Sequence, residues 1–312
     1  MGVFVFLPLV LPLTAWPIAR LAEQHLHPRA ATWLLTVAAV VLALCSTLCL
    51  ALLMVVGTAQ LPGNPLPDAW SDPEVREAVP YDEIAGSAAI PALLAVVASC
   101  LWAGWSHRRV RRRAARALIG LPDTPVAVLP DGTPYAYALP GRRRAGDRVV
   151  VSTGMLDLLE PAERRALFAH ERAHLRGRHH RFLLAVRLAA RANPFLLPLR
   201  TAVRFTAERW ADEEAAARVG SRRTVARAVG RAALLSRGGS ALGALAGFAA
   251  GPVPRRVAAL LGPPPSTSWW PRALTPVGLA VWGAAAGTTV SALSSANSAV
   301  SLFLVLKAAT PL

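Results

Sequence analysis

Three stretches of this 312-residue chain run for more than twenty residues without a charged side chain: residues 31–56, 85–105 and 273–293. A bilayer core about 30 Å thick needs roughly 20 apolar residues at 1.5 Å rise, and in lipid every backbone N–H and C=O must find its partner within the segment. Each stretch is therefore predicted to be a transmembrane helix. A fourth run, residues 3–19, is also uncharged but is marginal in length and carries Pro8, Pro12 and Pro17. No basic residue precedes it and no clean small-x-small site follows it, so it reads as a retained, bent helix and not a secretory signal. Beyond residue 293 the sequence stays small and Ser-rich toward Lys307, and its pattern does not separate one long helix from two elements.

Charge is distributed as unevenly as hydropathy. Residues 107–272 hold 30 of the 34 basic and 11 of the 18 acidic side chains, so this block is net +19 in a chain of net +16. A hydrophobic content of 54% excludes disorder. Cys45, Cys49 and Cys100 all lie in apolar runs, where they read as small core or lipid-facing residues and not as a disulfide framework. So basic a block raises nucleic acid as a partner. Its arginines are not interleaved with aromatics, however, and no helix-turn-helix or zinc-finger spacing is present. Direct nucleic-acid binding is not expected, and the block reads as a solvated face held against anionic lipid.

Orientation follows from the flanks, because cytoplasmic loops are enriched in Arg and Lys. The stretch at about residues 57–84 has one arginine against Asp68, Asp72, Glu74, Glu77, Asp82 and Glu83, and belongs outside the cell. After the third span comes SHRRVRRRAAR, residues 106–116, with six arginines close to the membrane end. Trp16, Trp33, Trp102, Trp105, Trp269 and Trp270 fall at the predicted inner ends, at headgroup level. The division expected is three N-terminal transmembrane helices with an acidic extracellular loop (1–106), a cytosolic block (107–272), and a C-terminal transmembrane helix and tail (273–312).

The chemistry concentrates in HERAH, residues 170–174. Histidines at i and i+4 share one helix face and suit two corners of a zinc tetrahedron, with the intervening Glu171 placed to work on water. Pro161 at a first helical position, Glu163 at the third, and no Gly or Pro over residues 162–175 predict the helix. With 7 His and 10 Glu in the chain, about 0.005 chance matches to this motif are expected. A hydrolytic zinc takes a third protein ligand and keeps an open position. FTAERWADEEAAA, residues 205–217, is a predicted helix with Glu208 and Asp212 four apart on one face. Glu208 is the expected third ligand, and Asp212 is placed to accept the outer N–H of a ligating histidine. Glu213 and Glu214 read as an acidic face paired with Arg209 and Arg218. His179 and His180, just past a glycine at 177, are alternative ligands or supporting groups, and Tyr135, His179 or an arginine could serve the oxyanion.

Around the motif, residues 134–139 and 148–152 have strand composition, separated by GRRRAGD. A sheet there would offer an edge for an extended peptide. Residues 182–199 are apolar but interrupted by Arg187, Arg191, Pro194 and Pro198, which predicts a helical hairpin lying near the membrane and not a further span.

HERAH, the following ExxxD pair, the preceding VVVSTGMLDLL and the flanking membrane helices together resemble the BlaR/MecR-type membrane metallopeptidases, a group close in pattern to HtpX and the CAAX prenyl proteases. The resemblance covers roughly residues 108–262. It implies His170, His174 and Glu208 as zinc ligands, Glu171 as the catalytic glutamate and Asp212 as the trailing aspartate. The 34-residue step from His174 to Glu208 is closer to the BlaR/MecR type. Sensing members carry a penicillin-binding domain after the last helix; none follows here before Leu312, so direct β-lactam sensing is not expected. The reading is a mainly α, multi-pass membrane protein of about four transmembrane helices with a cytosolic α+β zincin-like metallopeptidase domain. It would hold one Zn2+ per chain in the cell membrane and cut a protein or peptide substrate such as a cytosolic transcriptional repressor. HtpX-like quality control is the alternative, and a catalytically silent membrane receptor the alternative of another class. Homo-oligomerisation is left open.

Overall fold

The computed structural model describes residues 6–59, 61, 63, 82–141, 146–235, 252–265 and 274–309. The acidic residues at 68, 72, 74 and 77, the centre of the GRRRAGD turn, and Trp269 and Trp270 lie outside them.

Three helices are long and apolar enough to cross a membrane: α3 (Pro28–Ala59), α4 (Asp82–Arg116) and the last helix, α11 (Pro276–Ala309). The protein is a multi-pass helical membrane protein. The Ser-rich C-terminal continuation is part of one helix, which runs without a break from Pro276 to Ala309. The N-terminal run departs from expectation. It is helical but breaks into α1 (Leu7–Val10), a 3-10 turn (Leu11–Thr14) and α2 (Ala15–His25), with Pro8 and Pro12 each opening a new piece. A proline has no N–H to give to the preceding turn and its ring collides with that turn's carbonyl. The result is a set of short helices packed beside α3 in place of a fourth continuous span.

The three long helices are not equivalent. In its most apolar window α3 is 44% buried within the protein, against 11% for α4 and 17% for α11. The reason lies in the next elements: α7 (His179–Ala192), a 3-10 turn (Pro194–Leu196) and α8 (Leu197–Val219) form the predicted hairpin. It packs lengthwise against α3. Thr32 Oγ1 bonds Thr206 Oγ1 at 2.9 Å, and at the hairpin tip Asn193 Nδ2 donates to Ser46 Oγ at 3.0 Å. Those two α3 positions are about 21 Å apart along the helix, so the hairpin stands beside most of a candidate span. The main core is correspondingly shared: Leu35, Leu42 and Ala39 of α3 pack with Phe182, Val186, Leu199, Val203 and Trp210. At the far end α3 and α4 meet backbone to backbone, since a Cβ on either Gly57 or Gly86 would collide with the main chain of the other. α4 then continues unbroken to Arg116, carrying the arginine run as extra helical turns.

The sheet is small: β1 (Val126–Leu129), β2 (Ala136–Leu139) and β3 (Arg148–Ser152), in the order β1-β3-β2, with β1 parallel and β2 antiparallel to β3. Two strands match the predicted runs and β1 is an addition. Val149, Val150 and Val151 are fully buried because both faces are covered. One face packs with Tyr135, Tyr137 and Ala114; the other joins Met155, Leu167, Val225, Val229 and Leu260. Ser152 ends β3 and caps the short α5 (Thr153–Leu158) by accepting from Met155 N at 3.1 Å. The remaining elements are α6 (Pro161–Arg176), α9 (Arg222–Leu235) and α10 (Val253–Leu261).

Candidate metal centre

HERAH sits on α6, and α6 starts where the sequence says it should. Pro161 takes the first position, Glu160 and Glu163 form a reciprocal capping box, and Arg231 of α9 donates to Glu163 Oε2 at 2.8 Å. The helix stops at Gly177, where a side chain would run into the imidazole of His179. Arg178 follows with φ 50, the left-handed turn that reverses the chain into α7 and brings His179 back over the helix it has just left. Across from α6, α8 supplies Glu208 and Asp212, four residues and about one turn apart.

These elements enclose a polar site in the interior. His170 is 0% exposed, Glu171 1%, His174 8%, Glu208 6% and Asp212 1%. His170 Nε2 and His174 Nε2 are 3.1 Å apart, and each lies 3.5 Å from an oxygen of Glu208. Two ligands held about 2.0–2.1 Å from a tetrahedral centre are separated by ~3.3 Å. The three donors thus already have the spacing a zinc ion needs. They are also the one group of three or more ligand-type side chains among the described residues whose donor atoms all fall within 4.8 Å of one another.

The outer nitrogens of both histidines are held. Asp212 Oδ1 lies 3.0 Å from His170 Nδ1, and His179 Nδ1 lies 2.8 Å from His174 Nδ1. His179 therefore stands behind a ligand position and not in it, stacked on Trp210 at 4.4 Å. His180 is only half-buried, outside the cluster. Tyr135 is not brought to the centre: it stacks on Tyr137 at 6.2 Å in the sheet core, with its hydroxyl beside Asp131. Glu213 pairs with Arg209 as expected, but its second partner is Arg222, and Glu214 pairs with Arg176; Arg218 is in neither pair.

One buried residue of the site was not anticipated. Arg256, on α10, is 0% exposed and grips Asp212 with two bonds, Nε to Oδ2 at 2.8 Å and Nη2 to Oδ1 at 2.6 Å. Its Nη1 lies 3.1 Å from Glu208 Oε2. Among 33 arginines nothing in its type distinguishes it, but its position does. Arg256 stands four residues before buried Leu260 and three after Val253, on the apolar stripe of α10, whereas its neighbour Arg255 points out to Glu23. A guanidinium on a core-facing stripe demands an internal anion.

The charges set one another. Burial alone would raise the carboxyl of Asp212, but Arg256 outweighs it and holds the group at about 2. Burial likewise opposes ionisation of Glu208, and Arg256 together with the two histidines keeps it well below the usual carboxylate range. His170 would be lowered by burial, yet Asp212 and Glu208 raise it to about 9, the mark of a pocket that draws in positive charge. His179 is pushed well down by burial and by His174, so it stays neutral. Glu171 differs from the other carboxylates: burial raises it, and its Oε1 has no hydrogen-bond partner among the described residues. A buried carboxylate oxygen left open beside two nitrogens and a carboxylate at ligand spacing fits a centre that takes a metal ion and a water.

Comparison with known proteins agrees with this geometry over part of the chain. Residues 101–190 match the family model of peptidase family M48. A protease HtpX homolog of Methanocaldococcus jannaschii is 40% identical over 74 residues, 24% of this chain and 25% of the relative. One from Moorella thermoacetica is 40% identical over 72 residues, 23% of each chain, and one from Persephonella marina 37% over 76 residues, 24% and 25%. The chain thus covers about a quarter of the length of the curated relatives it matches. No solved structure shows significant similarity to it.

Proposed function

We propose that this chain, whose residues 101–190 carry an HtpX-related peptidase family M48 segment, is an integral-membrane zinc endopeptidase acting on membrane proteins at the inner face of the cell membrane. The observation that carries the proposal is the convergence of His170, His174 and Glu208 at ligand spacing beside the open Oε1 of Glu171.

His170, His174 and Glu208 would hold the ion, and zinc bound there supplies Lewis acidity toward a peptide carbonyl and toward water at neutral pH. Glu171, with its proton affinity raised by burial, takes a proton from the attacking water and hands it to the leaving amine. Asp212 fixes the ring of His170 and His179 that of His174, so neither imidazole has to reorient during turnover. Arg256 holds Asp212 and Glu208 ionised and in place. β2, an edge of the sheet, is the strand on which an extended substrate would pair its backbone.

The quality-control reading is taken over cleavage of a cytosolic repressor after a signal. The matched relatives bear the HtpX protease name, and the peptidase helices share one core with α3, which suits a substrate that arrives within the membrane. The arginine run at the end of α4 supports a cytosolic position for the block 107–272 under the positive-inside rule.

In proteoliposomes Glu171→Gln should keep its zinc, roughly one ion per chain, and lose cleavage of an unfolded membrane protein; Glu208→Ala should lose the ion as well. Cleavage by Glu171→Gln would sink the mechanism. Comparing cell proteomes of wild type and Glu171→Gln separates the substrate classes: accumulation of damaged membrane proteins supports quality control, whereas a single stabilised soluble repressor overturns it. A reporter fused near residue 240 that appears outside the cell would reverse the topology.

A further inference from the structure

One sizeable cavity lies away from the metal centre. About 1190 Å³ of space opens between α3, α4 and α7, and its floor is apolar: Val40 and Leu44 from α3, Val97 and Leu101 from α4, Ala185 and Leu188 from α7. Its α4 wall changes character at Trp105. From Arg108 onward the lining residues of α4 are arginines, and Arg108, Arg112 and Arg116 recur every four residues, so they stand on one face in successive turns. From Val97 to Arg108 the wall is about 17 Å long, close to one leaflet of a ~30 Å core. The long axis of the space matches an acyl chain, and its basic end falls where a headgroup would sit.

Four of the arginines at that end have no carboxylate partner among the described residues. Neighbours are engaged: Arg111 donates to Pro140 O at 3.0 Å, Arg187 to Ser106 Oγ at 2.8 Å, and Arg109 lies over the Trp105 ring at 5.0 Å. Arg108, Arg112, Arg113 and Arg116 are exposed and form no ion pair with any described residue. Other arginines of the chain do meet carboxylates, as at Arg222, Arg231 and Arg256. Four cations stacked along one helix without an anion repel one another, and planar guanidinium forks match phosphate oxygens. A purely solvated face would account for the exposure but not for the apolar slot of leaflet length that the same helix continues into.

We infer that this groove binds one anionic phospholipid, with an acyl chain in the slot between α3, α4 and α7 and the phosphate on Arg108 and Arg112. The site does not depend on the peptidase reading. Its floor on α7 is continuous with His179 at the start of that helix, so the lipid would brace the element that supports His174.

The test is lipid retention by the full chain. The protein is reconstituted in nanodiscs of phosphatidylglycerol and phosphatidylcholine in equal parts, extracted in mild detergent, and its bound lipid counted by native mass spectrometry. Wild type should retain one phosphatidylglycerol in at least about tenfold preference to phosphatidylcholine. The double variant Arg108→Gln/Arg112→Gln should lose the preference, and Ala185→Trp, which fills the slot, should lose the lipid altogether. Arg223→Gln/Arg227→Gln on α9 removes the same charge from another exposed surface and should change nothing. Equal loss in that control would overturn the inference in favour of non-specific surface charge, and so would undiminished retention in Ala185→Trp. Retention of phosphatidylcholine equal to phosphatidylglycerol by wild type would also overturn it. Glu171→Gln should retain lipid like wild type, so a failed peptidase reading and a failed lipid site are told apart.

Discussion

Arg256 and the arginines at the end of α4 are the same residue put to opposite use. Arg256 is wholly withdrawn from solvent and meets two carboxylates; Arg108, Arg112, Arg113 and Arg116 are exposed and meet none among the described residues. Desolvating a guanidinium costs several kcal/mol unless its partners are well placed. The first position is therefore fixed by the internal geometry of the site, while the second is left to whatever the surroundings supply. The lesson is that net charge describes the second kind of arginine and hides the first. Only four residues separate Leu260 from Arg256, yet no count of basic residues marks the latter as part of the metal centre.

The comparison is most directly broken at Arg256. Arg256→Met should leave Asp212 and Glu208 buried without their guanidinium partner, at a cost of about 3–5 kcal/mol, seen as a large drop in the thermal unfolding midpoint in detergent. Arg112→Gln should move stability by no more than about 0.5 kcal/mol. If the two variants melt together, Arg256 is not the internal counter-ion described here. Next in size, Asp212→Asn keeps the shape of the site but withdraws the negative charge behind His170. Zinc affinity should fall roughly 10–100-fold, measured by competition with a chelator, and His179→Phe should weaken it in the same direction through His174. Unchanged affinity in both would show that the outer nitrogens need no support.

The smallest effect is expected at His180, beside the arginine-rich end of α4. Burial, then Arg111 and Arg181, depress His180 to about 4 from 6.5. Because the folded value lies below the unfolded one, protons favour the unfolded chain: the contribution is intact above about pH 6.5 and is lost as pH falls toward 4. Unfolding midpoints at pH 7.5 and pH 5 should differ less in His180→Gln than in wild type. An identical difference would mean that burial with Arg111 and Arg181 does not depress His180 in the folded chain.

Much of this was legible before any coordinates because it is local. Hydropathy over twenty residues needs no tertiary information, and α3, α4 and α11 fall where residues 31–56, 85–105 and 273–293 placed them. HERAH, the capping box at Glu160 and Glu163 and the Glu208/Asp212 step all lie within single helices, where i+3 and i+4 spacings are read from the chain. What escaped depends on contacts between distant segments. Val126–Leu129 becomes a strand only by pairing with Val149 to Ser152. The hairpin 182–199 reads as lying near the membrane, but nothing in its sequence reveals that Asn193 reaches Ser46. Tyr135 was a plausible oxyanion donor by type, but its neighbour Tyr137 and the sheet claim its ring. The three N-terminal prolines were visible, and each weakens the helix ladder more than an apolar count registers.

The contact of Gly57 with Gly86 acts at a distance from where it is made. It is the fulcrum of a pair of tongs whose arms are α3 and α4 and whose jaws open toward Val40, Leu101 and Arg108. From Gly86 to Arg108 the arm is about 33 Å long, so a few degrees of rotation at the pivot becomes ångströms at the jaws. One methyl group added at Gly86 would force the two backbones apart at the pivot and shift the jaws, and the cavity between them and α7, further still.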